Sequence, residues 1–281
     1  MANIDIRGVS HSYELTAPIS SPYVLVFIHG WLLSRNYWQP LIQRLSADYQ
    51  CLSYDLRGFG DSQIHSTQKK LVSTYSPTSY IEDLAILLEK LKISSACLIG
   101  HSLGGTIALH GAYKILDIIK AVVCLNSGGG IYLKEEFEQF RSVGAQIIKF
   151  RPSWLPYIPL IDLIYTSTQV ATPISTKWRR QLLLDFVAAS YEAALGSLLE
   201  STTESEVHQL PQLVSELKQP VYFITGTKDK IMEPKYVRHL GSFHSMFQDH
   251  GANVLEIPEC GHLSMLEKPD TVATYIKSIL Q

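Results

Sequence analysis

The stretch Leu98-Ile99-Gly100-His101-Ser102-Leu103-Gly104-Gly105 constrains this chain more than any other. Just before it, Ala96 to Ile99 is a short apolar run that reads as a buried strand. After it, Leu103, Ile107, Ala108 and Ile115 recur near helical spacing and read as one face of a helix. A strand that turns into a helix within so few residues crowds the backbone, and Gly100 and Gly104 carry no Cβ to clash there. Ser102 at the apex is then held in a strained turn with its hydroxyl directed away from the sheet, the geometry of a nucleophile elbow. The helix N-terminus beneath it presents unpaired N–H groups and a positive dipole end. A Gly-rich turn with an incidental serine has the same five-residue pattern, so the rest of the chain decides between them.

Around this stretch, strand and helix patterns alternate. Residues 4 to 15 read as two short strands around Gly8. Tyr23 to Ile28 is a continuous apolar run, a central parallel strand ending in His29-Gly30-Trp31. A helix is expected from about Asn36 to Asp48, with Trp38, Leu41, Ile42 and Leu45 on one face. Cys51 to Tyr54 is the next strand, closed by the turn Asp55-Leu56-Arg57-Gly58-Phe59-Gly60-Asp61-Ser62, in which Asp55 and Arg57 read as a structural ion pair. Residues 63 to 78 are polar and read as an exposed excursion. Ser79 is expected to cap a helix that runs through Leu91. Beyond the central stretch, Ala121 to Leu125 is a further buried strand, ending at Asn126-Ser127-Gly128-Gly129-Gly130. Such alternation argues for a parallel sheet with helices on both faces.

The alternation then stops. Residues 131 to 215 hold helix patterns and no convincing strand. Glu135 to Lys149 is amphipathic, with Phe137, Phe140, Ile147 and Ile148. Arg151 to Leu160 carries three prolines among Trp154, Leu155, Tyr157 and Ile158, which should hold Trp154 in an extended, exposed segment. Thr176 to Leu199 reads as one or two helices. The division expected is a core of residues 1–130 and 216–281 and a helical cap or lid of residues 131–215. The α/β pattern resumes with the strand Val221 to Gly226, a helix from about Lys235 to Gln248, the strand Val254 to Ile257, and a closing helix from Lys268 to Leu280.

Composition narrows the function classes. The chain of 281 residues is 46% hydrophobic and 18% charged, so a sizeable core is expected and disorder is not. A formal net charge of −2 gives no support to a nucleic-acid or anionic-membrane surface. Met1 to Arg7 lacks the apolar core of a signal peptide, and no apolar run reaches bilayer length. A cytoplasmic protein without a transmembrane segment is the expectation. Cys51, Cys97, Cys124 and Cys260 form no CxxC pair and no metal-ligand spacing, and read as reduced thiols. No metal and no cofactor are expected.

Three chemically able residues lie at carboxyl ends of expected strands: Ser102, Asp229 in Gly226-Thr227-Lys228-Asp229, and His262 after Val254 to Ile257. In an open α/β sheet those ends share one edge, so residues far apart in sequence can meet there. A serine hydroxyl is a poor nucleophile alone, and His262 would take its proton. Asp229 would fix the imidazole tautomer; Asp249, its rival, falls near a helix end. The backbone N–H groups of Leu103 and Trp31 would hold a tetrahedral oxyanion. Leu32, Trp154 and Leu263 are candidates for the substrate wall. His101 and His29 read as structural, and His11, His65, His110, His208, His239, His244 and His250 match no motif and read as surface or packing residues.

With His29-Gly30-Trp31, Asp55 to Ser62, Gly100 to Gly105, Gly226 to Asp229 and Gly261-His262 together, the chain resembles the α/β-hydrolase superfamily over nearly its full length. His29-Gly30-Trp31-Leu32-Leu33 is similar to the bacterial aryl esterases and their cofactor-free haloperoxidase, or perhydrolase, relatives. The resemblance implies an α/β-hydrolase fold with a mostly parallel central sheet, a helical lid insert and a serine nucleophile. Haloalkane dehalogenases and epoxide hydrolases use Asp where this chain has Ser102. The activity expected is cleavage of a lipophilic or aryl carboxylic ester, a small-molecule substrate, through an acyl-enzyme. Two other readings stay open: a lyase or synthase of the menaquinone-pathway type, and a slow-turnover ligand receptor. Monomer and dimer are equally open.

Overall fold

In the computed structural model, which describes residues 1–64, 72, 74–128 and 134–280, the chain is organised on one eight-stranded sheet. Its strands are β1 Ala2–Ile6, β2 Val9–Leu15, β3 Val24–Ile28, β4 Cys51–Tyr54, β5 Ala96–His101, β6 Ile119–Leu125, β7 Val221–Gly226 and β8 Val254–Ile257. Their spatial order is β1-β2-β4-β3-β5-β6-β7-β8, antiparallel from β1 to β4 and parallel from there on. The antiparallel start follows from Arg7-Gly8, both at positive φ (54° and 80°), which close β1 onto β2 as a two-residue hairpin.

The helices are α1 Gln39–Leu45, α2 Pro77–Lys90, α3 Leu103–Lys114, α4 Lys134–Lys149, α5 Ile161–Thr166, α6 Thr176–Ala188, α7 Tyr191–Ser201, α8 Glu204–Glu216, α9 Pro234–Gly241, α10 Ser264–Glu267 and α11 Pro269–Leu280. Side chains of the central strands alternate between two cores, as a period of two requires. Val26, Ile28, Leu98, Val122 and Cys124 join α2, α3 and α8 on one face. Leu25, Phe27, Cys97, Ile99 and Val123 join α1 and α11 on the other. The parallel register pairs Ile28 with Gly100, Gly100 with Cys124, Leu125 with Ile224 and Gly226 with Ile257. The carboxyl ends of β3, β5, β6, β7 and β8 are therefore level, and the loops after them share one edge.

Several local expectations are corrected. The helix expected from Asn36 starts as a 3-10 turn, Arg35–Trp38, and becomes α-helical only at Gln39, because Pro40 has no N–H to bond back into that turn. The cap of α2 is Ser76, not Ser79: its Oγ accepts from the Ser79 N–H at 3.3 Å, and Pro77 takes the first turn, where a missing N–H costs nothing. Asp55 and Arg57 do not pair with each other. Asp55 binds the Arg35 guanidinium and backbone, and Arg57 reaches Asp83 at 2.8 Å. The helix expected over Lys235 to Gln248 breaks after Gly241 and resumes as a 3-10 turn, Ser245–Gln248. The closing helix is preceded by a separate turn, α10.

Between β6 and β7 the described residues hold helices α4 to α8. The run from Thr176 is two helices bent by 93°, with Ser190 capping the second by accepting from Ala193 N–H. α8 was not anticipated, because Pro211 sits inside it. Leu155–Tyr157 is a 3-10 turn, so Trp154 is exposed but not extended. Core and helical segment are stitched together: Trp31 Nε1 donates to Ala194 O at 2.8 Å, Ser34 Oγ to Asp185 at 2.6 Å, and Ser190 N–H to Gly58 O at 2.8 Å. The central part of the expected excursion (residues 65–71 and 73), the tail of the Gly-rich loop (Gly129 and Gly130), and the Phe137 side chain lie outside the described residues, as does His65. All four cysteines are buried and unpaired in disulfides, and burial pushes the thiols of Cys51, Cys97 and Cys260 up to about 12. Among the described residues no single helix is long and apolar enough to cross a membrane.

Candidate active site

Ser102 links β5 to α3 at φ 52° and ψ −119°, a conformation that costs a non-glycine residue about 1–3 kcal/mol. The close approach that forces it is visible at the flanking glycines. A Cβ on Gly100 would stand 2.1 Å from Gly104 O, and one on Gly104 would stand 2.1 Å from Ile28 O. Ser102 N–H donates to Leu125 O at 3.0 Å, so β6 holds the apex from the side. Leu103 opens α3, where first-turn N–H groups have no partner within the helix.

Asp229 and His262 come from the loops after β7 and β8. His262 Nδ1 and Asp229 Oδ2 are 2.8 Å apart. A carboxylate only accepts, so Nδ1 carries the proton and Nε2 keeps a lone pair. The same Oδ2 accepts from Asn126 Nδ2 at 2.9 Å, and Oδ1 accepts from the N–H groups of Ile231 and Met232, each at 2.9 Å. Burial works against the Asp229 charge, but His262, the Met232 N–H and the Asn126 amide outweigh it and hold the carboxyl below the usual range. Asp249 is exposed at the end of its 3-10 turn, and the partner of His262 is Asp229.

Three residues that sequence reasoning passed over or set aside complete this surrounding. Asn126, at φ 49° after β6, donates to Asp229 and to Gly261 O at 3.0 Å and accepts from Ser264 Oγ at 2.6 Å. Its place at a strand's carboxyl end is a signal that could have drawn attention to it. Glu267 accepts from Gly261 N–H at 3.0 Å and from the N–H groups of Ala171 and Thr172, at 2.8 and 2.9 Å. Nothing in the sequence marks it. His101, expected to be structural, is buried with its ring 4.7 Å from that of His262 and its Nε2 2.8 Å from His262 O. Since a carbonyl only accepts, Nε2 donates. Burial, with His262 alongside, pushes His101 down to about 3, so the ring is neutral. His29 is likewise buried and pushed down to about 4 by burial; its Nε2 accepts from Leu56 N–H at 2.9 Å, which ties the end of β3 to the end of β4.

A cavity of about 480 Å³ opens beside Ser102 and His262. Trp31, Leu32, Leu103 and Leu263, four of the sequence candidates, line it together with Ser102 and His262. Asp229 stands behind His262. Trp154 does not line the cavity: it is 60% exposed before its 3-10 turn. The helical segment contributes Phe140, Ile147, Ile164, Phe186 and Leu198 to the wall instead. Among the described residues no group of three or more His, Cys, Asp or Glu side chains is arranged to hold a metal ion.

The model of the "Alpha/beta hydrolase family" matches residues 25–275. The chain belongs to that family. It is 23% identical over 264 residues to a probable esterase of Oryza sativa subsp. japonica, covering 89% of this alpha/beta hydrolase and 88% of the relative. It is 24% identical over 237 residues to the Bifunctional esterase/perhydrolase DCH of Acinetobacter calcoaceticus, with 80% of each covered. A shorter stretch of 132 residues is 26% identical to Protein PHYLLO, chloroplastic, of Arabidopsis thaliana and spans only 8% of that protein's length. In three dimensions the hydrolase superposes on a thermophilic esterase from Thermogutta terrifontis with a TM-score of 0.79 at 20% identity, covering 100% of this chain and 98% of the other.

Proposed function

We propose that this protein is a serine hydrolase that cleaves a carboxylic ester through an acyl-enzyme on Ser102. The observation that carries the reading is the 2.8 Å contact from His262 Nδ1 to Asp229, with His262 and Ser102 on the wall of one cavity. In this reading Ser102 Oγ attacks the ester carbonyl and His262 Nε2 takes the hydroxyl proton. The tetrahedral oxyanion is held by the N–H groups of Leu103 and Trp31. As the C–O bond breaks, His262 returns the proton to the leaving alcohol. Water then adds to the acyl-enzyme with His262 as base, and the carboxylic acid leaves. Asp229, ionised throughout, steadies the imidazolium in both halves.

The substrate class follows from the wall. Most of the cavity side chains are apolar and none of those described is a Lys or Arg, so an anionic group would lose its hydration there without recompense. A lipophilic or aryl ester suits it, and residues 131–215 act as a cap over the core edge that carries Ser102. The relatives named as esterases support ester cleavage, and the perhydrolase in the name of the Acinetobacter relative supports a second acceptor, hydrogen peroxide in place of water. The test is a fluorophosphonate label followed by mass spectrometry, together with a burst assay on a 4-nitrophenyl ester. The expected result is a label on Ser102, a burst and continued turnover, with Ser102→Ala lowering kcat by about four orders of magnitude or more at unchanged fold. A burst followed by arrest would favour a receptor, and a label elsewhere with turnover intact would end the assignment.

A further inference from the structure

The cavity that begins at Ser102 has a far end of different character. Glu206, in the first turn of α8, is part of its lining, next to Thr106, Ser201, Thr202, Val207 and Leu210. The Glu206 side chain is only 19% exposed, and its Oε2 lies 3.1 Å from Nε2 of His110 on α3, itself 7% exposed. Both atoms are buried, and neither completes an aligned hydrogen bond. His110 thus is not an idle packing residue: it faces Glu206, the single carboxylate among the described residues that line this mostly apolar cavity. The carboxylate is held mostly out of water with Oε2 beside His110 but not in an aligned hydrogen bond, so it keeps the capacity to accept from a donor that a ligand brings.

The helix α3 gives the distance. Ser102 caps it and His110 lies two turns on, so at 1.5 Å per residue the Glu206–His110 pair sits about 12 Å along the axis from the nucleophile. Thr106, midway, lines the cavity between them. We propose that Glu206 is a specificity-determining residue: it accepts a hydrogen bond from a hydroxyl group at the far end of the substrate, separated from the scissile ester by an apolar stretch. A hydroxyl fits better than an ammonium, because an ammonium would lose far more hydration on entering this cavity. The inference rests on the ester reading of the same cavity and names the substrate class within it: esters of ω-hydroxylated chains rather than plain alkyl esters.

The experiment compares 4-nitrophenyl octanoate with its ω-hydroxy and ω-ammonio analogues, on wild type, Glu206→Gln and Glu206→Leu. The wild type is expected to favour the ω-hydroxy ester in kcat/KM by about tenfold or more, as a hydrogen bond to a charged acceptor allows. Glu206→Leu should reverse that preference by lowering kcat/KM for the ω-hydroxy ester, and Glu206→Gln should retain part of it. Equal ratios in wild type and Glu206→Leu would overturn the assignment, and so would a larger gain with the ω-ammonio ester. Calorimetric binding of octanol against its ω-diol gives a readout that needs no hydrolysis. If no ester turns over yet the diol binds at least tenfold more tightly to wild type and not to Glu206→Leu, the ester reading fails and the subsite stands. If esters turn over and the diol shows no advantage, the subsite fails and the ester reading stands. Thermal unfolding of both variants shows whether either has lost its fold.

Discussion

Asp229 gathers His262, Asn126 and two backbone N–H groups around one carboxylate. Replacing it by Asn removes the acceptor that sets the His262 tautomer, and kcat should fall by about four orders of magnitude, whereas Asp249→Asn should leave it unchanged. Steady-state kinetics on one ester decides between the two acids. Protonation adds a stability argument. Asp229 is held below its unfolded value, so its contribution is present above about pH 4 and is lost as pH falls through the folded value. His29 and His101 are buried neutral and pushed down to about 4 and about 3. The unfolded chain binds protons at these rings once pH drops below about 6.5, while the folded chain does not. Stability from both is therefore full above about pH 6.5 and declines toward pH 3. Urea midpoints should fall steadily as pH is lowered across that window, with net proton uptake on unfolding. A midpoint that stays level from neutral pH to about pH 4 would contradict the buried neutral rings.

At the scale of elements, the turn from β5 into α3 is held by two absent side chains. A methyl on Gly104 would meet the Ile28 and His29 backbone at 2.1 and 2.6 Å, and backbone in the middle of a sheet cannot step aside. Gly104→Ala should cost at least about 3 kcal/mol, the upper end of ordinary overpacking. Gly111, in the same helix, would meet only side-chain tips, Leu98 Cδ1 at 3.0 Å and Leu84 Cδ2 at 3.9 Å, and Gly111→Ala should change stability by less than about 1 kcal/mol, since better helix propensity offsets the contact. Chemical denaturation of the pair gives the contrast, and equal effects would show that the close approach is not what requires glycine. The alternation of strands and helices was legible because buried parallel strands are continuous apolar runs and helices carry their own period. The starts and breaks of helices were less so. Ser76 rather than Ser79 caps α2 because Pro77 selects the first turn. α8 was hidden by Pro211, which a helix anchored by the buried Val207, Leu210, Leu213 and Val214 tolerates.

For the molecule as a whole, the cavity is a joint product of the sheet edge and the helical segment. Phe140, Ile147 and Ile164 face it from α4 and α5, and each remains partly exposed (36%, 43% and 67%). Each buried methylene is worth about 0.8 kcal/mol, so two added methylenes should raise kcat/KM roughly tenfold until the space is filled. In a series of 4-nitrophenyl esters from acetate to octanoate, Ile147→Ala and Ile164→Ala should weaken that gain, and Trp154→Ala should not. If Trp154→Ala alters the chain-length preference and the two isoleucine variants do not, the wall has been misassigned. The apolar, aromatic character of the helical segment was readable from its sequence. Which of its aromatics turn inward was not, because that depends on how α4 and α5 lie on the core.

The sequence by itself determined the α/β alternation, the glycine-framed turn at Ser102, and the placing of Asp229 and His262 after strands. Each of these depends on neighbours a few residues away, where steric crowding and hydrophobic period act directly. Only the tertiary structure decided which charges meet. Asp55 takes Arg35 and Arg57 takes Asp83; Asn126 and Glu267 brace the His262 loop; Glu206 meets His110 at the end of the cavity, while Trp154 stays outside it. Those pairings join residues brought together by the stacking of whole elements, and a charge or an aromatic ring carries no local signal of the partner that packing will supply.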